Sequence, residues 1–136
     1  MKVLVTGGWG YLGRFVSHCL KEKNLPYLLV DNLSCCPPPA EKIPELRVCD
    51  VGNERKVEEI LREFQPEVVV HLAGKIQATE SWEKPMEYWE NNVVSTFYLL
   101  RAMKKCGIKK IIFTSSASIY SGGENIGEDH PPAPFM

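Results

Sequence analysis

Short runs of apolar, mostly β-branched residues alternate along this chain with longer runs in which apolar positions recur every three or four residues. Residues 2–6 (KVLVT) read as a strand. After them Leu12, Phe15, Val16, Cys19 and Leu20 occupy the i, i+3, i+4, i+7 and i+8 positions of one helix face, which Asn24 and Pro26 bring to an end. Residues 27–30 (YLLV) form a second strand whose unbroken apolar character predicts burial on both faces. A loop rich in Pro and Cys runs from Asn32 to about Glu45, and residues 46–49 make a short third strand. Asn53 is placed to cap a helix with Val57, Ile60, Leu61 and Phe64 on its apolar face, ending at Gln65-Pro66. Residues 67–72, built around Val68-Val69-Val70, give a fourth strand. Pro85 suits the first turn of a long helix whose stripe runs Met86, Trp89, Val93, Thr96, Phe97, Leu100, Met103, with Gly107 as its stop. Residues 110–115 (KIIFTS) are a fifth strand, and beyond Tyr120 the chain becomes a loop rich in Gly and Pro.

Strands that alternate with helices and read as solid apolar runs imply an α/β fold, a doubly wound parallel sheet with helices on both faces. Right-handed crossovers favour the Rossmann strand order 3-2-1-4-5. The expected organisation is one domain over residues 1–121 and a Gly/Pro-rich loop tail over 122–136, without internal repeats.

Composition narrows the function classes. The 136 residues are 44% apolar and 24% charged with a net charge of −1, which suits a soluble globular protein and leaves no basic stripe for nucleic acid. No run approaches the ~18 continuous apolar residues of a membrane span, and the start of the chain is too short in apolar residues and too broken by glycine for a signal peptide. Five cysteines, Cys19, Cys35, Cys36, Cys49 and Cys106, with no Cys-x-x-Cys pair, read as reduced thiols of a cytoplasmic protein. No metal site is expected.

The chemistry-bearing segment is the first strand-to-helix turn, Thr6-Gly7-Gly8-Trp9-Gly10-Tyr11-Leu12-Gly13. Glycines at 7, 10 and 13 have the Gly-x-x-Gly-x-x-Gly spacing, follow a strand and open a helix, which is the context of a dinucleotide-binding turn. Gly7 turns the chain, Gly10 leaves room for a pyrophosphate, and Gly13 brings helix and sheet together, so that phosphate meets the N–H groups at the helix start. Asp31, 18 residues after Gly13, ends the second strand where a carboxylate can take ribose hydroxyls. It would repel a 2′-phosphate and so favours NAD over NADP, although Arg14 beside the turn pulls the other way. The alternative role for Asp31 is to begin an Asx-type loop with Asn32.

With these residues the chain resembles the extended short-chain dehydrogenase/reductases, the NAD-dependent epimerase/dehydratase family, and within them the UDP-glucose 4-epimerases. The resemblance runs from Met1 to about Pro134. It rests on the opening Val3–Gly13 segment, Asp31-Asn32-Leu33, Asp50-Val51, His71-Leu72-Ala73-Gly74, Glu80-Ser81 with Pro85, Asn91-Asn92-Val93, and Thr114-Ser115-Ser116-Ala117-Ser118-Ile119-Tyr120. It implies that Gly7, Gly10, Tyr11, Leu12, Gly13, Asp31, Asn32, Asp50, Val51, Leu72, Ala73, Gly74, Lys75, Asn92 and Ser115 surround NAD. Asp50 would hold the adenine amino group with Val51 as its backbone partner, and Ala73, Gly74 and Asn92 would line and orient the cofactor. Ser116 would sit beside the reacting sugar hydroxyl of a UDP-sugar, in a homodimeric enzyme. Each position has a plainer alternative: Asp50 as the turn before the Asn53 cap, Asn92 as a helix polar residue, Ser116 as a strand-end hydroxyl, and Lys75 as a solvated surface lysine, the family's cofactor lysine lying here or one residue away. Trp9 stands where the family has a small residue, with its ring expected over the cofactor mouth or toward solvent.

Family chemistry also needs a Tyr-x-x-x-Lys pair, whose lysine lowers the tyrosine pKa so that the phenolate takes the sugar hydroxyl proton. No such pair occurs here, and the sequence reads as truncated just before the catalytic helix and the substrate domain. Another alignment puts Phe135 at the tyrosine position. Tyr120 and His130 are the nearby substitutes. The expectation is therefore the N-terminal cofactor-binding part of an epimerase, inactive alone. A sugar-nucleotide dehydratase or reductase, or a non-catalytic dinucleotide-binding module, is the alternative. Ser115-Ser116 after Thr114, where dehydratases carry Asp-Glu, counts against the dehydratase.

Overall fold

In the computed structural model, which describes residues 1–120 and 125–133, the first β-branched run, Val3–Thr6 (β1), lies at the centre of the sheet, with Val5 fully shielded. Tyr11–Glu22 (α1) leads from it to Tyr27–Asp31 (β2), and an irregular segment leads on to Leu46–Val48 (β3). Glu54–Phe64 (α2) returns to Val68–His71 (β4). Ala78–Glu83 (α3), Pro85–Trp89 (α4), a π-helical turn at Glu90–Val94 and Ser95–Lys105 (α5) lead to Ile111–Phe113 (β5), and a single 3-10 turn, Ala117–Ile119, follows. All pairings are parallel and the order is β3-β2-β1-β4-β5, the doubly wound arrangement that the sequence implies. Leu29 and Val70 flank Val5 in register.

Local chemistry sets the element ends. Asn53 caps α2, its side chain accepting from the Lys56 N–H at 3.1 Å, which satisfies one of the orphan donors of the first turn. Asn24 takes a left-handed conformation (φ 50°) after α1, and Gly107 (φ 74°) does so after α5, where Ile108 N–H returns to Met103 O.

One face of the sheet packs Leu4, Leu28, Val30 and Val69 against Val57, Ile60 and Leu61 of α2 and Leu99, Ala102 and Met103 of α5. Leu4, Leu61 and Leu99 are fully buried, each contributing about 1.5–3 kcal/mol. Across the outer side of this layer Glu54 of α2 bonds to Arg101 and Lys105 of α5, and these two cations hold its carboxyl down to about 2. The other face packs Val3, Val5, Leu29 and Val68 against Val16 and Leu20 of α1. Over β4 and β5 on that face no helix lies among the described residues. Val68, Val70, Leu72 and Ile112, with Leu12 and Val16, line an apolar groove of about 500 Å³.

Two helix faces differ from the periodicity reading. On α1, Val16 and Leu20 are half-buried, but Leu12, Phe15 and Cys19 are exposed. The groove beside α1 is the cause, since the sheet there is bare. On the long helix, Ser95, Leu99, Ala102 and Met103 are buried, whereas Met86, Trp89, Val93, Phe97 and Leu100 are exposed. Within this stretch a π turn interrupts the helix, with Ser95 N–H reaching back five residues to Glu90 O, and the later side chains rotate relative to an uninterrupted 3.6-residue count. The helix therefore carries two apolar stripes, one in the core and one outside. The short α3 went unforeseen. Of the expected tail over residues 122–136, residues 122–124 and 134–136 lie outside the described residues, as does residue 121 at the end of the expected domain.

Candidate functional site

Three segments meet at the C-terminal edge of the central strands, the position where ligands bind in open α/β sheets. The first is the turn after β1. Gly7 has φ 66°, and a Cβ there would fall 2.7 Å from Ala73 N, so only glycine lets this turn nest against the chain leaving β4. Gly13 is buried, and a Cβ on it would lie 2.3 Å from Gly7 O. Gly10 is different. Its backbone is extended (φ −68°, ψ 177°), a conformation any residue adopts, so the demand there is for space rather than for backbone freedom. Gly10 caps α1 without a side-chain hydrogen bond, which leaves the first-turn N–H groups of the helix available to an anion.

The second segment begins at Asp31. Its Oδ1 accepts from Leu33 N–H at 2.8 Å and its Oδ2 from Trp9 N–H at 2.9 Å. The Asx-type role thus coexists with a cross-link to the glycine turn. Asn32 continues the arrangement: Oδ1 accepts from Ser34 N–H at 3.1 Å and Nδ2 donates to Asp50 Oδ2 at 2.8 Å. Asp50 Oδ1 accepts from Gly52 N–H at 2.7 Å, so Asp50 does shape the turn before Asn53. The Trp9 indole is half-buried and anchored by two contacts. Its Nε1–H donates to Pro37 O at 2.8 Å and the Arg14 guanidinium sits 5.7 Å from the ring centroid.

The third segment is the stretch after β4 with the π turn above it. Asn92 Oδ1 accepts from Lys75 N–H at 2.8 Å and Asn92 Nδ2 donates to Lys75 O at 2.9 Å, a reciprocal pair that fixes this backbone beside the cleft. The π turn is what delivers Asn92 to this place, a recurrent use of such bulges. The Lys75 ammonium is engaged by Glu87 at 3.0 Å, which raises its pKa, and lies 5.5 Å from the Tyr88 ring centroid. Beneath, the His71 ring is buried. Thr96 Oγ1 donates to Asn92 O at 2.7 Å and takes the His71 Nε2–H at 3.0 Å, which leaves Nδ1 to accept from Thr6 Oγ1 at 2.6 Å. Burial holds the His71 pKa below its ordinary value.

Together these segments enclose one cleft. Of the residues the sequence singles out, Gly7, Gly10, Asp31, Asn32, Val51, Leu72, Ala73, Gly74 and Lys75 line it. Gly13 and Asn92 act from behind it, and Asp50 lies on an adjoining polar groove shared with Asn32, Lys75 and Asn91. Tyr11 and Leu12 project as exposed side chains, leaving only their backbone at the turn. Ser115 and Ser116 are exposed and outside the cleft, and Ser116 Oγ accepts from Ser118 N–H at 3.1 Å. Tyr120 packs edge-on to His130, ring centroids 6.0 Å apart. Phe135 lies outside the described residues. Val30, Ser34, Cys35, Cys36 and Asn91 also line the cleft although periodicity gave no sign of them. Their signal was position alone, next to Asp31 and Asn92. Among the described residues no cluster of His, Cys, Asp or Glu could hold a metal ion, and no helix is long and apolar enough to cross a membrane.

Known proteins resemble this chain over nearly its whole length. A UDP-glucose 4-epimerase of Azospirillum brasilense is 37% identical over 98% of this chain and 39% of its own length. One of Klebsiella pneumoniae is 36% identical over the whole of this chain and 99% of its own sequence. The crystal structure of the Bifidobacterium longum UDP-glucose 4-epimerase in complex with NAD+ and UDP superimposes with a TM-score of 0.90 at 36% identity, covering 98% of this chain and 43% of that one. The chain thus spans about two fifths of the Azospirillum and Bifidobacterium proteins. The model of the NAD dependent epimerase/dehydratase family matches residues 3–135, and the chain belongs to that family.

Proposed function

We propose that residues 1–121 are the NAD-binding domain of a sugar-nucleotide 4-epimerase interconverting UDP-glucose and UDP-galactose, and that the 136 residues alone bind NAD without turning over sugar. The observation that carries this reading is the joining of the glycine turn to Asp31 around one cleft, with Trp9 N–H bonded to the Asp31 carboxylate. Three features of the cleft support a dinucleotide as its ligand. A Cβ on Gly10 would stand in it, the uncapped start of α1 suits a pyrophosphate, and Asp31 suits ribose hydroxyls while repelling a 2′-phosphate. Arg14, stacked on Trp9, is committed elsewhere, which weakens its claim on extra phosphate.

NAD would supply transient oxidation of the sugar at C4 and return of the hydride. The residues present bind and orient: Gly7, Gly10 and Gly13 shape the anion site, Asp31 and Asn32 take the ribose, and Asp50 and Val51 border the adenine. The stretch 72–75, held by Asn92, forms the opposite wall. Ser116 Oγ, which accepts from Ser118 N–H, keeps its own hydrogen to donate to a sugar oxygen. No Tyr-x-x-x-Lys occurs in these residues to move the hydroxyl proton. We place the protein in the cytoplasm, where its five thiols stay reduced, and read the exposed stripe Met86, Trp89, Val93, Phe97, Leu100 as supporting a homodimer. The test is to incubate the purified chain with NAD and UDP-galactose and to measure UDP-glucose against the Azospirillum relative. Turnover below one part in about 10² is expected, because general-base catalysis alone contributes ~10²–10⁴-fold. Turnover within about tenfold of the relative would refute the reading and move attention to Tyr120 and His130.

A further inference from the structure

Two thiols stand in the nucleotide cleft. Cys35 is exposed and Cys36 half-buried, and both line the cleft with Gly7, Gly10 and Asp31. Their segment is tied down on both sides. Upstream, Asp31 Oδ1 accepts from Leu33 N–H and holds Leu33 in the left-handed region (φ 59°), while Asn32 Oδ1 accepts from both Ser34 N–H and Ser34 Oγ–H. Ser34 Oγ in turn lies 3.6 Å from Cys35 Sγ. Downstream, the Trp9 indole N–H grips Pro37 O at 2.8 Å. Three residues, Ser34, Cys35 and Cys36, therefore span two anchors, one of which belongs to the glycine turn itself. Both thiols therefore sit on a short span whose two ends are fixed beside the cleft. None of the other three thiols shares this setting: Cys19 is exposed on α1, Cys49 is buried, and Cys106 lies at the end of α5.

We propose that Cys35 and Cys36 form a thiol-modification site inside the cofactor cleft, and that capping Cys35 by a small-molecule disulfide excludes the dinucleotide. The inference rests on the NAD-binding reading above. The step is thiol–disulfide exchange. The Cys35 thiol gives its proton to solvent, the thiolate attacks one sulfur of the disulfide, a new S–S bond forms, and the old one breaks. The leaving thiolate takes up a proton. Nothing is oxidised beyond what the disulfide supplies, and an excess of thiol reverses the reaction. With oxidised glutathione the adduct brings bulk and carboxylates into a cleft that already holds Asp31 and must accept a pyrophosphate. Modification and NAD thus compete for one space, and by mass action NAD at ten times its Kd should slow modification about elevenfold.

The experiment treats the full chain with oxidised glutathione with and without NAD, localises adducts by peptide mass spectrometry, and titrates NAD calorimetrically before and after modification. The expected results are roughly tenfold protection of Cys35 and Cys36 by NAD, an unchanged rate at Cys19, and at least tenfold weaker NAD binding after modification, restored by dithiothreitol. The variant C19S/C106S should keep the whole effect. In C35S/C36S the Kd for NAD, whatever its value, should no longer respond to the disulfide. NAD that binds the untreated chain yet neither protects Cys35 and Cys36 nor is weakened by their modification would overturn the proposal alone. An untreated chain that binds no NAD would overturn the cofactor reading and this inference with it.

Discussion

Replacing Gly10 and Gly13 separately should split cofactor binding from folding. At Gly13 a new Cβ meets backbone: Gly7 O at 2.3 Å and both Gly8 C and Gly8 Cα at 2.6 Å. None of these is the movable end of a side chain, so the helix must back away from the turn. Overpacking of this kind costs about 3 kcal/mol, offset by about 1 kcal/mol from alanine's better helix propensity, for a net loss near ~2 kcal/mol. At Gly10 the new Cβ meets, among the described residues beyond its chain neighbours, Gly7 O at 3.3 Å, and the backbone angles suit any residue. Gly10→Val should therefore cost about 1 kcal/mol, the usual loss for an unfavourable cap. Its side chain enters the cleft, however. Displacing two charge-assisted hydrogen bonds of about 1.5–3 kcal/mol each weakens NAD by ~10²–10⁴-fold. Urea denaturation followed by far-UV circular dichroism, paired with calorimetric titration of NAD, reads both quantities. A folded Gly10→Val protein that binds NAD within threefold of the parent would refute the proposed placement of the pyrophosphate. A Gly13→Ala protein as stable as the parent would refute the close helix–turn contact.

Other outcomes follow from neighbouring contacts. Asn92→Ala breaks both bonds to the Lys75 backbone and should lower stability by about 1–3 kcal/mol and speed amide exchange at Lys75, measured by urea titration and hydrogen exchange. Acidification from pH 7.5 to 5.5 should destabilise the chain through His71. Its folded pKa lies below the ordinary value of about 6.5, so the unfolded state binds more protons there and stability falls with pH, by at most ~1.4 kcal/mol per pH unit. The Glu54 carboxyl, held down to about 2, still stabilises across that window and loses its contribution only at lower pH. His71→Asn should flatten the slope between pH 7.5 and 5.5, and an unchanged slope would exclude His71 as its source. The bare groove over β4 and β5 and the exposed stripe of α4 and α5 should make the chain self-associate, since large exposed apolar patches promote association. A clean monomer in sedimentation at high concentration, with no binding of a hydrophobic dye, would contradict this.

The sheet was legible in the sequence because buried parallel strands are unbroken apolar runs: Val3-Leu4-Val5, Leu28-Leu29-Val30 and Val68-Val69-Val70 leave no competing period. The Asn53 cap and the glycine turn were legible for a similar reason, since each answers a local demand met by few residue types. The exposure of the stripe from Met86 to Leu100 was not, because periodicity marks an apolar face without showing whether another element covers it, and Ser95, Leu99 and Ala102 offer a second face to the sheet. The site was half legible. Gly7, Gly10, Gly13 and Asp31 could be read from spacing. The grip of Trp9 on Pro37, the hold of Asn92 on Lys75 and the entry of Cys35 and Cys36 into the cleft depend on contacts between segments. For Ser116 the resemblance implies a role beside a sugar, and its observed contact is the local bond from Ser118 N–H, which any strand-end serine could make.

The most direct test of the proposed NAD site is calorimetric titration of the purified, reduced chain with NAD and, separately, with NADP, repeated on Asp31→Ala. NAD should bind measurably, and more tightly than NADP, because the Asp31 carboxylate lines the cleft and repels a 2′-phosphate; Asp31→Ala should narrow the gap. Equal or inverted affinities would contradict the role given to Asp31 and point to Arg14, and the absence of binding by either nucleotide would contradict the site itself.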